Sequence, residues 1–218
     1  DPVKIVRMEA ARQLSAFSLG EVDQKTKEIL EKAFDEYEKI LLFTAERPES
    51  QVSLGVFYTN RKMPKKAEKS YVEALRLQPQ FVPAYINYSN FLMNQGNNKE
   101  AFETLEKGIK NVPGMGILHH ALGLWYVRDK KSDKATQELK KAAQLDVNNA
   151  RFAYVYAISV GKTDPKKAIE ILEKAYAKHN GNLQIVSGLA YYYKQTGDTK
   201  KSEMYEKKLK DLQNFSVR

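Results

Sequence analysis

The chain has 218 residues, of which 42% are hydrophobic and 29% charged, with 7 Pro and 11 Gly, so it carries enough apolar surface for a continuous core and is too regular in composition for a disordered segment. The absence of cysteine excludes disulfides, thiolate metal sites and c-type haem attachment, and the absence of any apolar run of roughly 18 residues excludes an ordinary membrane-spanning helix and any insertion by that route. The net charge of +9 comes from Lys interleaved with Glu, Asp and Gln, as between Lys65 and Lys69 and between Lys201 and Lys210, which is the pattern of solvated helix faces and not of a nucleic-acid surface.

In chain order, the first 47 residues read as an N-terminal helical segment. Asp1-Pro2 followed by Val6-Arg7, Ala10-Ala11 and Leu14 resembles the helix of a HEAT-type repeat, an opening that normally has neighbours, so the N-terminus is expected to be a cut edge. A long helical stretch from about Val22 to Phe43 then places Ala33, Tyr37 and Ile40 in the register of the second helix of a repeat, as the trailing half of a degenerate unit.

From residue 48 the chain is periodic. Gly55, Ser89, Gly123, Ala157 and Ala190 succeed one another at intervals of 34, 34, 34 and 33, and Ala67, Ala101, Ala135, Ala168 and Ser202 at 34, 34, 33 and 34. Two series with one period over four intervals define five helix-turn-helix units, starting near 48, 82, 116, 150 and 183 and making up residues 48–218. The missing residue falls in the turn Gly161-Lys162-Thr163-Asp164-Pro165, where a surface connection tolerates shortening. The spacing sets a small residue of the first helix (A) against a small residue of the second (B), so that the backbones approach and large residues one turn away fill the flanking holes. Pro64 and Pro165 suit the first turn of a helix B, Asp164 its cap, and Gly96 and Gly197 the tight turn between helices.

In the first unit, Leu54, Gly55, Tyr58, Ala67, Tyr71, Ala74 and Pro79 stand at seven of the eight signature positions of the tetratricopeptide repeat, which this unit closely resembles; Gln51 replaces the preferred Trp. The second unit (Tyr85, Ser89, Leu92, Gly96, Ala101, Leu105, Gly108, Pro113) and the third (Leu122, Gly123, Tyr126, Ala135, Leu139, Ala142) follow it, and the fourth and fifth more loosely, with Asn180 and Asn214 in place of the closing Pro. The resemblance implies an all-α fold, a right-handed superhelical solenoid of antiparallel helix pairs, whose A helices line a concave surface that binds a protein or peptide partner without catalysis.

Residues of the A helices not used in packing are then the candidates for binding. They are Asn87, Asn90 and Asn94 in the second unit; His120, Leu124, Val127 and Arg128 in the third; Arg151, Tyr154, Ile158 and Lys162 in the fourth; Tyr191, Lys194 and Gln195 in the fifth. The three Asn share one helix face and read either as a ladder of amides for a peptide backbone or as a plain solvated face. Tyr154, Tyr191, Leu124 and Ile158 read either as anchors for a partner or as packing of the groove floor. The clamp by which some relatives hold chaperone tails is not matched, because Val52, Val56, Ile117 and Ala121 stand at its positions in one register and Ile86, Ala121 and Val155 in the next.

Nothing assembles into an enzyme site. His119 is expected in the core of a helix A, His120 in the groove without a carboxylate beside it, and His179 near a helix-B terminus where a cation suits the dipole. A narrower resemblance rests on Phe81-Val82-Pro83-Ala84-Tyr85, Leu118 to Leu124 and Asn149 to Ala157, which are similar to the repeat region C-terminal to bacterial multihaem c-type cytochrome domains. It implies the docking arm of an exported electron-transfer protein in the periplasm, with haem only in an upstream domain and no cofactor in this segment; without it, the chain reads as cytoplasmic. Self-association through a solenoid edge is the structural alternative, and the oligomeric state is open.

Overall fold

The structure, a computed structural model, describes residues 2–216, so Asp1, the first residue of the expected cut edge, lies outside the described residues. Among those described, every regular element is helical. Two compact units divide at Val112/Pro113, inside the repeat array.

The first unit contains α1 (Pro2–Leu14), α2 (Gln24–Phe43) and two helix pairs, α3 (Pro48–Asn60) with α4 (Pro64–Leu77) and α5 (Val82–Asn94) with α6 (Asn98–Asn111). The second contains three pairs, α7 (Gly116–Arg128) with α8 (Ser132–Leu145), α9 (Ala150–Gly161) with α10 (Pro165–Tyr176) and α11 (Leu183–Gln195) with α12 (Thr199–Ser216). The two helices of a pair pack on each other, and each B helix in turn packs on the next A helix of its unit.

The B helices form because an apolar stripe repeats at helical spacing. In α10, Ala168, Ile169, Leu172 and Ala175 are buried while Lys166, Lys167, Glu170, Glu173 and Lys174 face water. The A helices are enclosed on more sides and are correspondingly apolar; α11 buries Ile185, Val186, Gly188, Leu189, Ala190, Tyr192 and Tyr193. The pairing differs from the small-on-small contact expected from the periodicity. A Cβ on Gly55 would stand 2.4 Å from Cε1 of Tyr71, and one on Gly123 would stand 2.7 Å from Cγ of Leu139. The small A residue is thus a socket for a large side chain sixteen positions later on helix B.

The turns follow the repeat. Pro64 and Pro165 occupy the first helical turn, and Asp164 accepts a hydrogen bond from the Lys167 amide at 2.9 Å. Lys62, Gly96, Lys130 and Gly197 share one turn position and all have φ between 57° and 83°. The shortened fourth turn has no such residue: it runs from the C-cap Lys162 (φ −63°) to Asp164 (φ −137°) without a positive φ.

In the N-terminal segment the buried stripe of α2 is Phe34, Tyr37 and Leu41, one residue on from the expected Ala33 and Ile40, which are only half-buried. Phe57 draws it there by packing edge-on against both Phe34 and Tyr37, at 6.1 and 5.5 Å between ring centroids. Helix α1 buries Ala11 but leaves Val3, Ile5 and Val6 exposed.

Candidate functional site

The predicted binding residues divide between the two compact units. In the first unit they are partly covered by the chain itself. Ser15, just past α1, is 2% exposed; its hydroxyl donates to the Arg12 carbonyl at 2.8 Å and accepts from the Asn60 amide at 2.7 Å. Arg12, Gln13 and Ser15 thereby stand over the A-helix residues Val52, Ser53, Val56, Asn60 and Asn87, around a small cavity of about 240 Å³. Asn87 is half-buried there and donates to the Pro83 carbonyl at 2.8 Å, whereas Asn90 and Asn94 are exposed. The three Asn share a face of α5, but one of them is already engaged locally.

In the second unit, Leu124, Val127, Arg128, Arg151, Lys162, Tyr191, Lys194 and Gln195 are exposed, and Tyr154 and Ile158 are half-buried against the core. His120 departs from expectation. It is 7% exposed, stacked on Phe152 at 4.7 Å between ring centroids, and its Nδ1 has no hydrogen-bond partner. Burial first, and then the charge of Arg151, push its pKa down to about 4, so it is a neutral packing residue and not a groove contact. The physical reason is Phe152 on the next A helix, which closes over the imidazole. His119, expected in the core, is instead half-buried at the edge, with Nδ1 2.7 Å from the Glu138 carboxylate. Burial alone would raise the Glu138 carboxyl, but hydrogen bonds from His119 and Lys141 hold it below its ordinary range. Near the end of α10, His179 has a buried Nε2 without a partner.

Five of the predicted residues converge. Tyr154, Ile158 and Lys162 from α9 and its C-cap meet Tyr191 and Gln195 from α11 around a cleft of about 700 Å³, completed by Gly161, Pro165, Ser187, Gly188 and Tyr192. Two small residues shape its wall. A Cβ on Gly161 would stand 2.2 Å from the Tyr192 hydroxyl, and one on Gly188 would stand 2.9 Å from Cδ1 of Leu172 and 3.4 Å from the Tyr154 ring. The Tyr191 side chain is 56% exposed and accepts from the Gln195 amide at 3.0 Å.

Sequence reasoning missed Tyr192. The run Tyr191-Tyr192-Tyr193 contained the signal, since consecutive helix positions point about 100° apart and three identical residues must serve three surroundings. Tyr191 faces solvent at the cleft. Tyr193 is in the pair interface, where it donates to Glu173 and accepts from Lys201 at 2.9 Å. Tyr192 crosses between α9 and α11 at 3% exposure.

No group of three or more His, Asp or Glu among the described residues is placed to hold a metal, and no described helix is long and apolar enough to cross a membrane.

Residues 48–81 and 82–111 match the tetratricopeptide repeat family. These residues therefore carry tetratricopeptide repeats, and the fold of the chain is an all-α solenoid of antiparallel helix pairs. Among curated proteins it is similar to the BBSome complex member BBS4 of Bos taurus, at 28% identity over 138 residues, which is 63% of this chain but 25% of that protein. The chain thus spans about a quarter of that relative's length. Among solved structures it resembles MamA, with a TM-score of 0.64 at 19% identity over 75% of this chain and 96% of the other. It also resembles YrrB, described as a TPR protein with an unusual peptide-binding site, with a TM-score of 0.58 at 18% identity over 81% and 91%.

Proposed function

We propose that this scaffold holds an extended peptide, or an exposed segment of a protein, on the exposed faces of its A helices, with the cleft between α9 and α11 as the anchor. The observation that carries the reading is the convergence of Tyr154, Ile158, Lys162, Tyr191 and Gln195 on one 700 Å³ cleft. Half-exposed Tyr and Ile beside a few polar groups are the composition of an interface hot spot. The likeness in fold to YrrB supports a peptide as the occupant. Leu124, Arg128, Arg151 and Lys194 extend the surface in the same unit; in the first unit, taken by itself, Asn90 and Asn94 are exposed amides of α5.

The test is peptide display on the intact chain, followed by titration of the selected peptides against Tyr191→Ala, Tyr154→Ala and Asn90→Ala, with far-ultraviolet circular dichroism to check the fold. Tyr191→Ala is expected to weaken binding roughly tenfold or more, as truncation of an aromatic anchor does. Unchanged affinity in all three variants, with the fold intact, contradicts the assignment.

The likeness of the three longer motifs to cytochrome-associated repeats extends the proposal. On that reading the scaffold is the docking arm of an exported multihaem cytochrome, it works in the periplasm, and haem belongs to an upstream domain. The gene upstream of Asp1 then encodes Cys-x-x-Cys-His motifs and a signal peptide, and a sequence without them overturns this extension while leaving peptide docking intact.

A further inference from the structure

The charges of the helices are sorted by role. Helices α5, α7, α9 and α11 contain no Asp or Glu at all, and α3 contains only Glu49. In the second unit the A helices carry Arg128, Arg151 and Lys194, with Lys162 at the α9 C-cap, while Asp133, Glu138, Glu170, Glu173, Glu203, Glu206 and Asp211 are all on the B helices. Neutral solvation of a helix face would mix both signs, so an acid-free series of A helices in a chain with 27 Asp and Glu is a directional feature.

The cleft between α9 and α11 repeats this bias in its hydrogen-bonding groups. Its lining contains a cation, Lys162, and no anion. Tyr192 is 97% buried by its 3% exposure, lines the cleft, and its hydroxyl makes no hydrogen bond to any described residue. The Tyr154 hydroxyl, on the facing helix, makes none either. Tyr191 uses its oxygen to accept from Gln195, which leaves its O–H proton free to donate outward. Burial, followed by the neighbouring Tyr191 and Tyr154, holds the Tyr192 phenol above its ordinary range, so it remains a donor at all working pH values. Three phenol O–H groups and one ammonium therefore line one cleft without donating a hydrogen bond to any described residue, walled by the apolar faces of Ile158 and the tyrosine rings. Phenol O–H groups with no protein acceptor are available to donate to an acceptor supplied by a ligand.

From this geometry we infer that the occupant of the α9/α11 cleft is an acidic peptide segment, with an Asp or Glu carboxylate received by the Tyr154, Tyr191 and Tyr192 hydroxyls and Lys162, and with apolar side chains flanking it on Ile158 and the rings. The inference rests on the docking proposed above and specifies its chemistry. Charge-assisted hydrogen bonds to a carboxylate are about twice as strong as neutral ones, so the cleft discriminates an acid from its amide.

The experiment uses the full chain and two fluorescein-labelled pools of extended peptides of about nine residues, a length suited to one groove segment. One pool alternates Asp or Glu with Leu, Ile or Phe; the other is the same with Asn and Gln. In fluorescence anisotropy at low salt the acidic pool is expected to bind at least about tenfold tighter than the amide pool. Tyr192→Phe keeps the ring and its packing and should remove several-fold of that preference. Lys162→Glu, at an exposed position that does not endanger the fold, should abolish or invert it. Equal binding of the two pools, failure of both to bind, or an acid preference that survives both substitutions overturns the inference. Its failure is distinguishable from failure of docking itself: if display-selected neutral peptides still lose affinity in Tyr191→Ala, the cleft docks peptides of another composition, and only the acidic specificity is wrong.

Discussion

Replacing Gly161 by Ala tests the packing that shapes the cleft. The added Cβ would lie 2.2 Å from the Tyr192 hydroxyl oxygen, 2.3 Å from its Cζ and 2.5 Å from its Cε1, so the end of the ring has to retreat by more than an ångström. Tyr192 is 3% exposed and packs between α9 and α11, so the ring clears the new Cβ only by shifting toward the cleft it lines and giving up that packing. Overpacking of this kind costs about 1–3 kcal/mol. Against it stands the preference of helices for Ala over Gly, about 1 kcal/mol in a helix interior and less at the last residue of α9. A net loss of about 2 kcal/mol is expected, which lowers Tm by about 4–8 °C in a chain of this size. Trp125, the single tryptophan, belongs to the same compact unit, so urea unfolding followed by its fluorescence reads the effect where it occurs. The matched control is Gly96→Ala, where a Cβ meets nothing within 4 Å and only a φ of +83° opposes it; its cost is the backbone term alone, about 1 kcal/mol. In a Tyr192→Ala background the Gly161→Ala change should become neutral or stabilising. If Gly161→Ala is as stable as the native chain, or if its cost is the same with and without the Tyr192 ring, the packing argument is refuted.

Other outcomes follow from the same structure. Lys62→Gly and Lys130→Gly relieve left-handed backbone at two equivalent turns, so each should raise the urea midpoint by an amount equal to about 0.5–1 kcal/mol, and a lowered midpoint contradicts the turn geometry. His120 titrates at about 4 when folded against an ordinary 6.5, so the unfolded chain takes up its proton first. Its contribution is complete above about pH 6.5 and declines as pH falls towards 4, by up to about 3 kcal/mol. Comparing native and His120→Leu stabilities across that window isolates the term, and parallel curves would show that the imidazole is solvated. Asn60→Ala removes the hydrogen bond to Ser15; faster amide exchange in α1 is expected, with a loss of about 1 kcal/mol, and unaltered exchange would mean that α1 is held by Ala11 and the α2 contacts alone.

The repeat was legible because it has one steric cause repeated at one spacing. A small residue at 55 or 123 accepts a large side chain at 71 or 139, and any change there is felt by both helices. The turn deletion was legible for a related reason, since the fourth turn is where the left-handed residue found in the other four is missing. Features that depend on neighbours distant in sequence were not readable. The one-residue offset in α2 is imposed by Phe57, and the burial of His120 by Phe152 on the following A helix. Covering of the first unit by Ser15 depends on a bond to a residue 45 positions away. Of the cleft, the residues with repeat-position logic, Tyr154, Ile158, Lys162, Tyr191 and Gln195, were found, whereas Tyr192 was hidden because its position reads as packing and only the close approach of its hydroxyl to Gly161 brings it to the cleft wall.

The central claim is that partners dock on the A-helix side of the second unit. It is tested most directly by placing a photo-crosslinking benzophenone amino acid at position 158 or 191, facing the cleft, or at 140 or 170, on the exposed faces of α8 and α10, and irradiating each protein with a display-selected peptide. The account predicts covalent adducts from 158 and 191 and none from 140 and 170. Adducts confined to 140 and 170 would contradict it.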